Sequence, residues 1–101
     1  MSAADKLGGY ASGFGELNAD VVAANVTAGF KLLDKDGKVY TKDELAGYIA
    51  KLRTLGSKMD ITDVVVDGST AWCKWQLGDV IGAGLITFGD EGVSQEQLFY
   101  A

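Results

Sequence analysis

The chain has 101 residues, of which 48% are hydrophobic and 23% are charged, and its formal net charge is −5. This length and composition predict one globular domain, residues 1–101, with an apolar core of its own. Nine basic residues against fourteen acidic ones, without any cluster of Lys or Arg, argue against nucleic acid as a partner and against a basic membrane-binding patch.

Several residue types and sequence patterns are absent. The chain has no His, which excludes His-based catalytic triads and His metal sites. The single cysteine, Cys73, cannot form an internal disulfide. No apolar run approaches the roughly 20 residues that span a bilayer, and the N-terminus does not resemble a signal peptide. We therefore expect a cytoplasmic protein without membrane contact.

The first half of the chain predicts helices and short strands. The predicted elements are a helix at 2–18, a short helix at 20–25, a strand at 27–34, an extended piece at 38–41 and a helix at 42–55. Leu7, Tyr10 and Phe14 form an apolar stripe on the first helix, and Ser2 resembles its N-cap. Glycines in this helix each cost roughly 1 kcal/mol relative to Ala, so we expect them to let the sheet approach closely.

The stretch DKDGKVYTKDEL, at 34–45, resembles a calcium-binding loop. Such a loop needs oxygen ligands at positions 1, 3 and 5, Gly at 6 and an acid at 12. No register satisfies this pattern, because Lys38 and Val39 fall at positions 5 and 6. Asp36-Gly37 instead predicts a hairpin turn, and the T-x-x-E pattern from Thr41 to Glu44 predicts a capping box. We therefore expect no calcium and no other metal here.

The second half of the chain changes to a period of two, which is typical of strands. The predicted strands are 59–66, 70–77, 82–88 and 93–100, with turn signals at 67–69 and 89–92. Helices followed by an antiparallel meander predict an α+β domain.

Three segments carry a resemblance to a known family: LNAD at 17–20, VDGSTAWCKWQL at 66–77 and LITFGDEGVSQEQLFY at 85–100. With the order of elements, they resemble the nuclear transport factor two-like superfamily, which includes ketosteroid isomerases and SnoaL-like polyketide cyclases. The resemblance implies N-terminal helices packed in a strongly curved antiparallel sheet, a cone-shaped half-barrel with an internal pocket. It also implies a homodimer formed through the outer sheet face. This fold hosts enzymes and binding proteins, so it does not determine function.

The catalytic residues of the family are only partly matched. In ketosteroid isomerases the resemblance places the base at Asp34, a Tyr near Phe14 and an Asp at Gly84. Tyr10 lies about one helical turn before the matching position, and Gly84 carries no acid. The His of SnoaL-like cyclases is absent, and the Arg expected in epoxide-hydrolase relatives is matched only by Arg53 on a helix. Asp34 is the one candidate catalytic base, and it could equally be a hairpin residue that supports the turn.

Aromatic residues supply the candidates for a ligand site and an interface. Alternation along 70–77 directs Trp75 inward with Cys73, and leaves Trp72 on the outer face among polar neighbours. Trp72 is therefore a candidate dimer contact, or it simply covers neighbouring strand residues. The candidates that could line a ligand pocket, or equally form the core, are Tyr10, Phe14, Tyr48, Trp75 and Phe88.

These observations lead to three functional hypotheses. The first is a small-molecule-binding or accessory protein for an apolar ligand, without cofactor and without a complete catalytic set. The second is an isomerase or cyclase that uses Asp34 as a general base. The third is a protein-interaction module that uses the outer sheet face.

Overall fold

The computed structural model describes residues 2–101, which form helices packed against a curved, unclosed sheet of six strands. The helices are α1 (Ala3–Gly15), α2 (Ala19–Ala24) and α3 (Leu45–Leu52), and the strands are β1 (Val26–Leu33), β2 (Val39–Thr41), β3 (Asp60–Asp67), β4 (Thr70–Leu77), β5 (Val80–Gly89) and β6 (Gly92–Tyr100). The predicted α+β architecture is confirmed.

The strand order is β2-β1-β6-β5-β4-β3. Strands β3 to β6 form the predicted antiparallel meander. The predicted turns join β3 to β4 and β5 to β6, while β4 and β5 are joined at Gly78-Asp79, where no turn was predicted. Strand β1 pairs with β2 in antiparallel fashion and with β6 in parallel. This parallel pairing places β1 beside the C-terminal strand β6. It is a contact between residues far apart in the chain, so local sequence patterns do not predict it.

Helix α1 is shorter at its C-terminus than the sequence pattern predicts. Its N-terminus is capped as expected, because the amide of Asp5 donates to the Ser2 hydroxyl at 3.2 Å and the amide of Ser2 donates to the Asp5 carboxylate at 3.3 Å. The helix ends at Gly15 because Leu17 adopts a left-handed conformation with φ of 52°, and the amide of Asn18 then bonds to a carbonyl of the last turn. Leu17 is thereby folded inward and is fully buried.

The segment 34–45 contains the predicted turn and cap. The Asp34 and Lys38 backbones are paired, Gly37 has φ of 88°, and the Asp36 carboxylate accepts from the amide of Lys38 at 3.0 Å. The Glu44 carboxylate accepts from the backbone amide of Thr41 at 3.0 Å and from its hydroxyl at 3.1 Å. Among residues 2–101, no group of three or more His, Cys, Asp or Glu side chains is arranged to hold a metal ion.

The predicted helix at 42–55 differs from the structure at both ends. Lys42–Glu44 form a single 3₁₀ turn, and α3 itself ends at Leu52. The amides of Thr54 and Leu55 bond to carbonyls three residues earlier, which tightens the chain after the helix. Leu55, the last residue of the predicted helix, is therefore 54% exposed.

The glycines of α1 serve a different contact from the one predicted. A Cβ at Gly13 would lie 2.8 Å from the Val22 backbone nitrogen, and a Cβ at Gly9 would collide with the Asn25 side chain. The absence of a side chain at Gly9 and Gly13 therefore allows α2 and its C-cap residue Asn25 to pack closely against α1. From the sequence, we predicted close packing of the sheet at these glycines instead. The opposite side of α1 faces the concave side of the sheet with Leu7, Tyr10 and Phe14. No helix among the described residues is both long and apolar enough to cross a membrane.

Candidate functional site

A small cavity lies between α1, α3 and the concave face of the sheet. Its volume is about 40 Å³, room for roughly three water molecules. Sites for drug-sized ligands usually measure about 300–1,000 Å³. The lining residues are Leu7, Tyr10, Ala11, Phe14, Leu32, Tyr48, Met59, Ile61, Val64, Cys73, Trp75, Ile86, Glu96 and Leu98. In this conformation the cavity therefore suits a molecule of only a few non-hydrogen atoms.

The structure places most of the predicted pocket residues at this cavity. Tyr10, Phe14, Tyr48 and Trp75 all contribute to its lining. Phe88 is buried but lies outside the cavity, and it lines a separate surface depression beside the N-terminal half of α1. Whether the four lining residues contact a ligand stays a prediction.

Glu96, on β6, is the one carboxylate among the lining residues. It is only 6% exposed, and the Tyr10 hydroxyl donates to its Oε1 at 2.5 Å. Burial raises the pKa of Glu96 to about 7, and the hydrogen bond from Tyr10 opposes part of that rise. Burial and the nearby carboxylate raise the pKa of Tyr10 well above its ordinary value, so the phenol stays a proton donor.

No basic side chain offsets the charge of Glu96. None of the described residues that line the cavity is Lys or Arg. Within residues 2–101, the salt bridge found joins Lys74 and Asp63, both on the surface. An ionised Glu96 would therefore be a buried charge without an ionic partner, which is an expensive arrangement.

Gly84 on β5 makes room for this carboxylate. A Cβ at Gly84 would collide with the Oε2 atom of Glu96, and the Cys73 sulfur lies 3.5 Å from the same point. Burial, followed by the charge of Glu96, raises the pKa of Cys73 to about 12. Cys73 is thus a protonated, buried wall residue and not an activated nucleophile.

Two further polar side chains border the cavity. Burial, and then the charges of Asp34 and Glu96, raise the pKa of Tyr48 on α3. Trp75 packs edge-on against Tyr100, with ring centroids 5.5 Å apart. Its Nε1 is the one buried side-chain polar atom in the described chain without a hydrogen-bond partner.

An open groove between α1 and the β3–β4 edge of the sheet adjoins the cavity. Five residues line both spaces: Ala11, Met59, Ile61, Val64 and Trp75. The groove has a volume of about 790 Å³. Strand β3 bends here, because Asp63 has φ of 52° and the pairing with β4 shifts between Thr62 and Val65, as in a β-bulge. The five shared residues therefore lie between the cavity and the groove.

Asp34, the predicted base, is not among the residues that line the cavity. It follows β1 and is half-buried, and its Oδ1 accepts a hydrogen bond from the Tyr100 hydroxyl at 2.5 Å and another from the Lys35 amide at 2.7 Å. The Lys35 ammonium lies 4.3 Å from the centre of the Tyr100 ring. Asp34 thus helps to hold the C-terminal strand against the β1–β2 hairpin, and its action as a base stays a prediction.

Comparison with solved structures identifies the fold. A cystatin-fold protein from Novosphingobium aromaticivorans superposes with a TM-score of 0.78 at 13% identity, covering 98% of each chain. A protein of unknown function from Burkholderia xenovorans, named as nuclear transport factor two-like, superposes with a TM-score of 0.77 at 8% identity, covering 97% of this chain and 81% of the other. The chain has the nuclear transport factor two-like fold.

A third structure of this fold contains a small molecule. It is a hypothetical protein from Catenulispora acidiphila with a ketosteroid isomerase-like fold, in complex with trimethylamine. It superposes with a TM-score of 0.77 at 15% identity, covering 98% of this chain and 87% of the other. No protein-family model matches the chain, and no curated protein matches its sequence. At these identities the comparisons establish the fold but not the activity.

Within the nuclear transport factor two-like fold, the cavity of this chain carries a tyrosine–carboxyl pair. The resemblance to ketosteroid isomerases places an Asp at Gly84, where this chain has no side chain. The Glu96 carboxylate reaches the space next to Gly84 from the neighbouring strand, and there it bonds to Tyr10. The resemblance implies a Tyr near Phe14 and an Asp at Gly84, and this chain has neither residue there. Tyr10 nevertheless forms a hydrogen bond with a carboxyl group, that of Glu96.

Sequence reasoning missed Glu96. It shares a strand face with Leu98, and both are buried, so a lone acid on an apolar face was the available signal. Val93 is buried although Gln95 and Phe99, an even number of positions further along, are exposed, because the β5–β6 register shifts between Thr87 and Phe88. Arg53, by contrast, is structural, since its guanidinium donates to the Leu17 carbonyl at 3.1 Å and 2.5 Å.

The outer sheet face carries an exposed aromatic pair. Trp72 is 47% exposed and Phe99 is 45% exposed, and their ring centroids lie 5.6 Å apart. Val65 pairs directly with Trp72 from β3 and is also exposed. The predicted outward direction of Trp72 is therefore confirmed, while its role in an interface stays a prediction.

Proposed function

We propose that this protein binds a small molecule in the cavity between α1 and the sheet, with Glu96 and Tyr10 as the polar end of the site. The supporting observation is the buried Glu96 carboxyl, held by Tyr10 in an otherwise apolar cavity that adjoins an open groove. Ligand sites typically combine apolar walls with a few placed polar groups. The small volume favours a ligand far smaller than a steroid or a polyketide.

The cavity can be tested by filling it on the side that adjoins the groove. We expect propan-2-ol to shift the Trp75 indole signal in NMR spectra of the wild type, whereas the Trp72 indole on the outer face should report no binding. Ala11→Leu should abolish the Trp75 shift, because Ala11 lines both the cavity and the groove. Ala50→Leu, at an exposed position of α3, is the matched control and should bind like the wild type. Equal binding by both variants would place the probe elsewhere and contradict the proposal.

A second candidate function is acid–base catalysis. A carboxyl with a pKa of about 7 in a water-poor cavity is poised to exchange protons near neutral pH. This property moves the enzymatic hypothesis from Asp34 to Glu96. The test is deuterium exchange at the methyl groups of acetone, followed by NMR, with wild type, Glu96→Gln and Asp34→Asn. Exchange faster than buffer alone that disappears only in Glu96→Gln supports Glu96, loss only in Asp34→Asn supports Asp34, and no acceleration refutes both.

We further propose that the outer sheet face joins two copies of the chain. The support is the exposed Trp72–Phe99 pair, since aromatic residues are enriched in the cores of interfaces. In analytical ultracentrifugation we expect a dimer for the wild type and for Lys74→Ala, which alters the same face of the same strand. We expect Trp72→Ala to sediment as a monomer. An unchanged mass for Trp72→Ala would exclude this dimer and favour a different partner or none.

A further inference from the structure

The surroundings of Glu96 define the charge that its ligand should carry. The groups that face this carboxyl are Tyr10 from α1, Tyr48 from α3 and Cys73 from β4, and each of them is neutral when protonated. Gly84 and Ile86 approach from β5 and carry no charge. The described part of the cavity thus contains one acidic group and no cation to balance it.

The walls of the cavity are suited to a cation. Four aromatic side chains line it, namely Tyr10, Phe14, Tyr48 and Trp75. Aromatic rings attract alkylated ammonium ions through their negative faces, and this attraction strengthens when water is excluded. An alkylammonium ion also presents an apolar surface to the aliphatic lining, which a hydrated metal ion does not.

The volume limits the size of such a cation. A cavity of about 40 Å³ holds roughly three water molecules, which is the space of at most about three non-hydrogen atoms. Methylammonium and dimethylammonium ions have this size, trimethylammonium is one atom larger and needs a small outward shift of β3 from α1, and larger cations need a larger shift. We expect such an ion to enter from the groove beside β3, which shares five lining residues with the cavity.

We propose that the ligand of this cavity is a small alkylammonium ion, paired with the Glu96 carboxylate and enclosed by the aromatic side chains. The inference rests on the proposed function, because it requires a cavity that accepts small molecules. A cation binds the ionised form of Glu96, so its binding must release the proton of that carboxyl at acidic pH. A ligand that only fills the cavity would release no proton. Proton release on binding therefore distinguishes an ion pair with Glu96 from such a ligand.

The experiment compares trimethylammonium chloride with propan-2-ol, since each has four non-hydrogen atoms and only the first is charged. Binding is followed through the Trp75 indole signal in NMR titrations at constant ionic strength, with the Trp72 indole as internal control. Because the pKa of Glu96 is about 7, trimethylammonium affinity should rise about tenfold from pH 5 to pH 6 and level off above pH 7. Propan-2-ol affinity should not rise with pH.

Three variants complete the test. Glu96→Gln should weaken trimethylammonium binding at pH 8 by at least tenfold and abolish its pH dependence, while it still binds propan-2-ol. Glu96→Asp, which keeps the charge, should retain part of the trimethylammonium affinity and guards against a folding defect in Glu96→Gln. Glu91→Gln removes an exposed carboxylate from the β5–β6 turn and should bind like the wild type.

The outcomes separate the two proposals. Equal, pH-independent binding of both probes, unaffected by Glu96→Gln, would overturn the cation inference and leave small-molecule binding in the cavity intact. If neither probe shifts the Trp75 signal, both proposals fail. Selective, pH-dependent binding of trimethylammonium that is lost in Glu96→Gln would support both.

Discussion

The buried carboxyl of Glu96 makes the stability of the protein depend on pH in a direction opposite to that of a salt-bridged acid. Burial raises its pKa from an ordinary 4.5 to about 7 in the folded protein. Below pH 4.5 the group is protonated in both the folded and unfolded states, and its full contribution is present. Between pH 4.5 and pH 7 the unfolded chain loses this proton first, so the free energy of unfolding falls as pH rises.

The magnitude follows from the two pKa values. At about 1.4 kcal/mol for each pH unit between them, the loss amounts to about 3 kcal/mol by pH 8. This is a large share of the roughly 5–15 kcal/mol that stabilises a typical domain. Glu96→Gln removes the titration, because an amide stays neutral over this range and can still accept a hydrogen bond from Tyr10.

The measurement is urea denaturation from pH 4 to pH 8, followed by tryptophan fluorescence, for the wild type and Glu96→Gln. The free energy of unfolding of the wild type, relative to that of Glu96→Gln, should fall by about 3 kcal/mol across this range. The other carboxylates are common to both proteins and cancel in the difference. Glu91→Gln, in the exposed β5–β6 turn, controls for the loss of one negative charge. A difference that stays constant within about 0.5 kcal/mol from pH 4 to pH 8 would refute the reasoning.

Three further predictions concern structural contacts. Gly13→Ala should lower the free energy of unfolding by about 1–2 kcal/mol, because its Cβ would press on the α2 backbone. Gly8→Ala, with open space around its Cβ, should raise the free energy of unfolding by up to about 1 kcal/mol. If urea denaturation shows equal effects for the two variants, close approach to α2 is not the reason for the glycine at position 13. Cys73 should react with a disulfide reagent at pH 8 roughly a thousandfold more slowly than an exposed thiol, because a pKa of about 12 leaves little thiolate. Rapid labelling of the native protein would contradict the burial of Cys73. Arg53→Ala should lower the free energy of unfolding by about 1.5–3 kcal/mol, because it leaves the Leu17 carbonyl without its charged donors. Arg53→Lys should recover only part of this loss. Equal stability of Arg53→Ala and the wild type in urea denaturation would show that the contact contributes nothing.

Signals within a few residues of one another predicted much of the fold. Ser2 and Asp5, Asp36 and Gly37, and Thr41 with Glu44 each form a turn or cap within four residues, so the sequence alone identified them. The period of two likewise directed alternate side chains of β4 to the two faces of the sheet. These contacts depend on local backbone geometry, which a short sequence pattern specifies.

The candidate site depended on contacts between distant residues. Tyr10 and Glu96 are 86 positions apart, and Asp34 and Tyr100 are 66 positions apart. The sequence identified Asp34 as an acid at the end of a strand, but only the tertiary structure paired it with Tyr100 outside the cavity lining. The same structure directed Glu96 inward, beside a glycine on the next strand.

The sequence by itself determined the α+β composition, the helix caps, the hairpin, the meander and the outward direction of Trp72. The tertiary structure decided the parallel pairing of β1 with β6, the close approach of α2 to the glycines of α1, and the burial of Glu96 against Tyr10. The physical reason is that caps, turns and strand faces follow from the local backbone, whereas the environment of a carboxyl group follows from which distant elements exclude water around it.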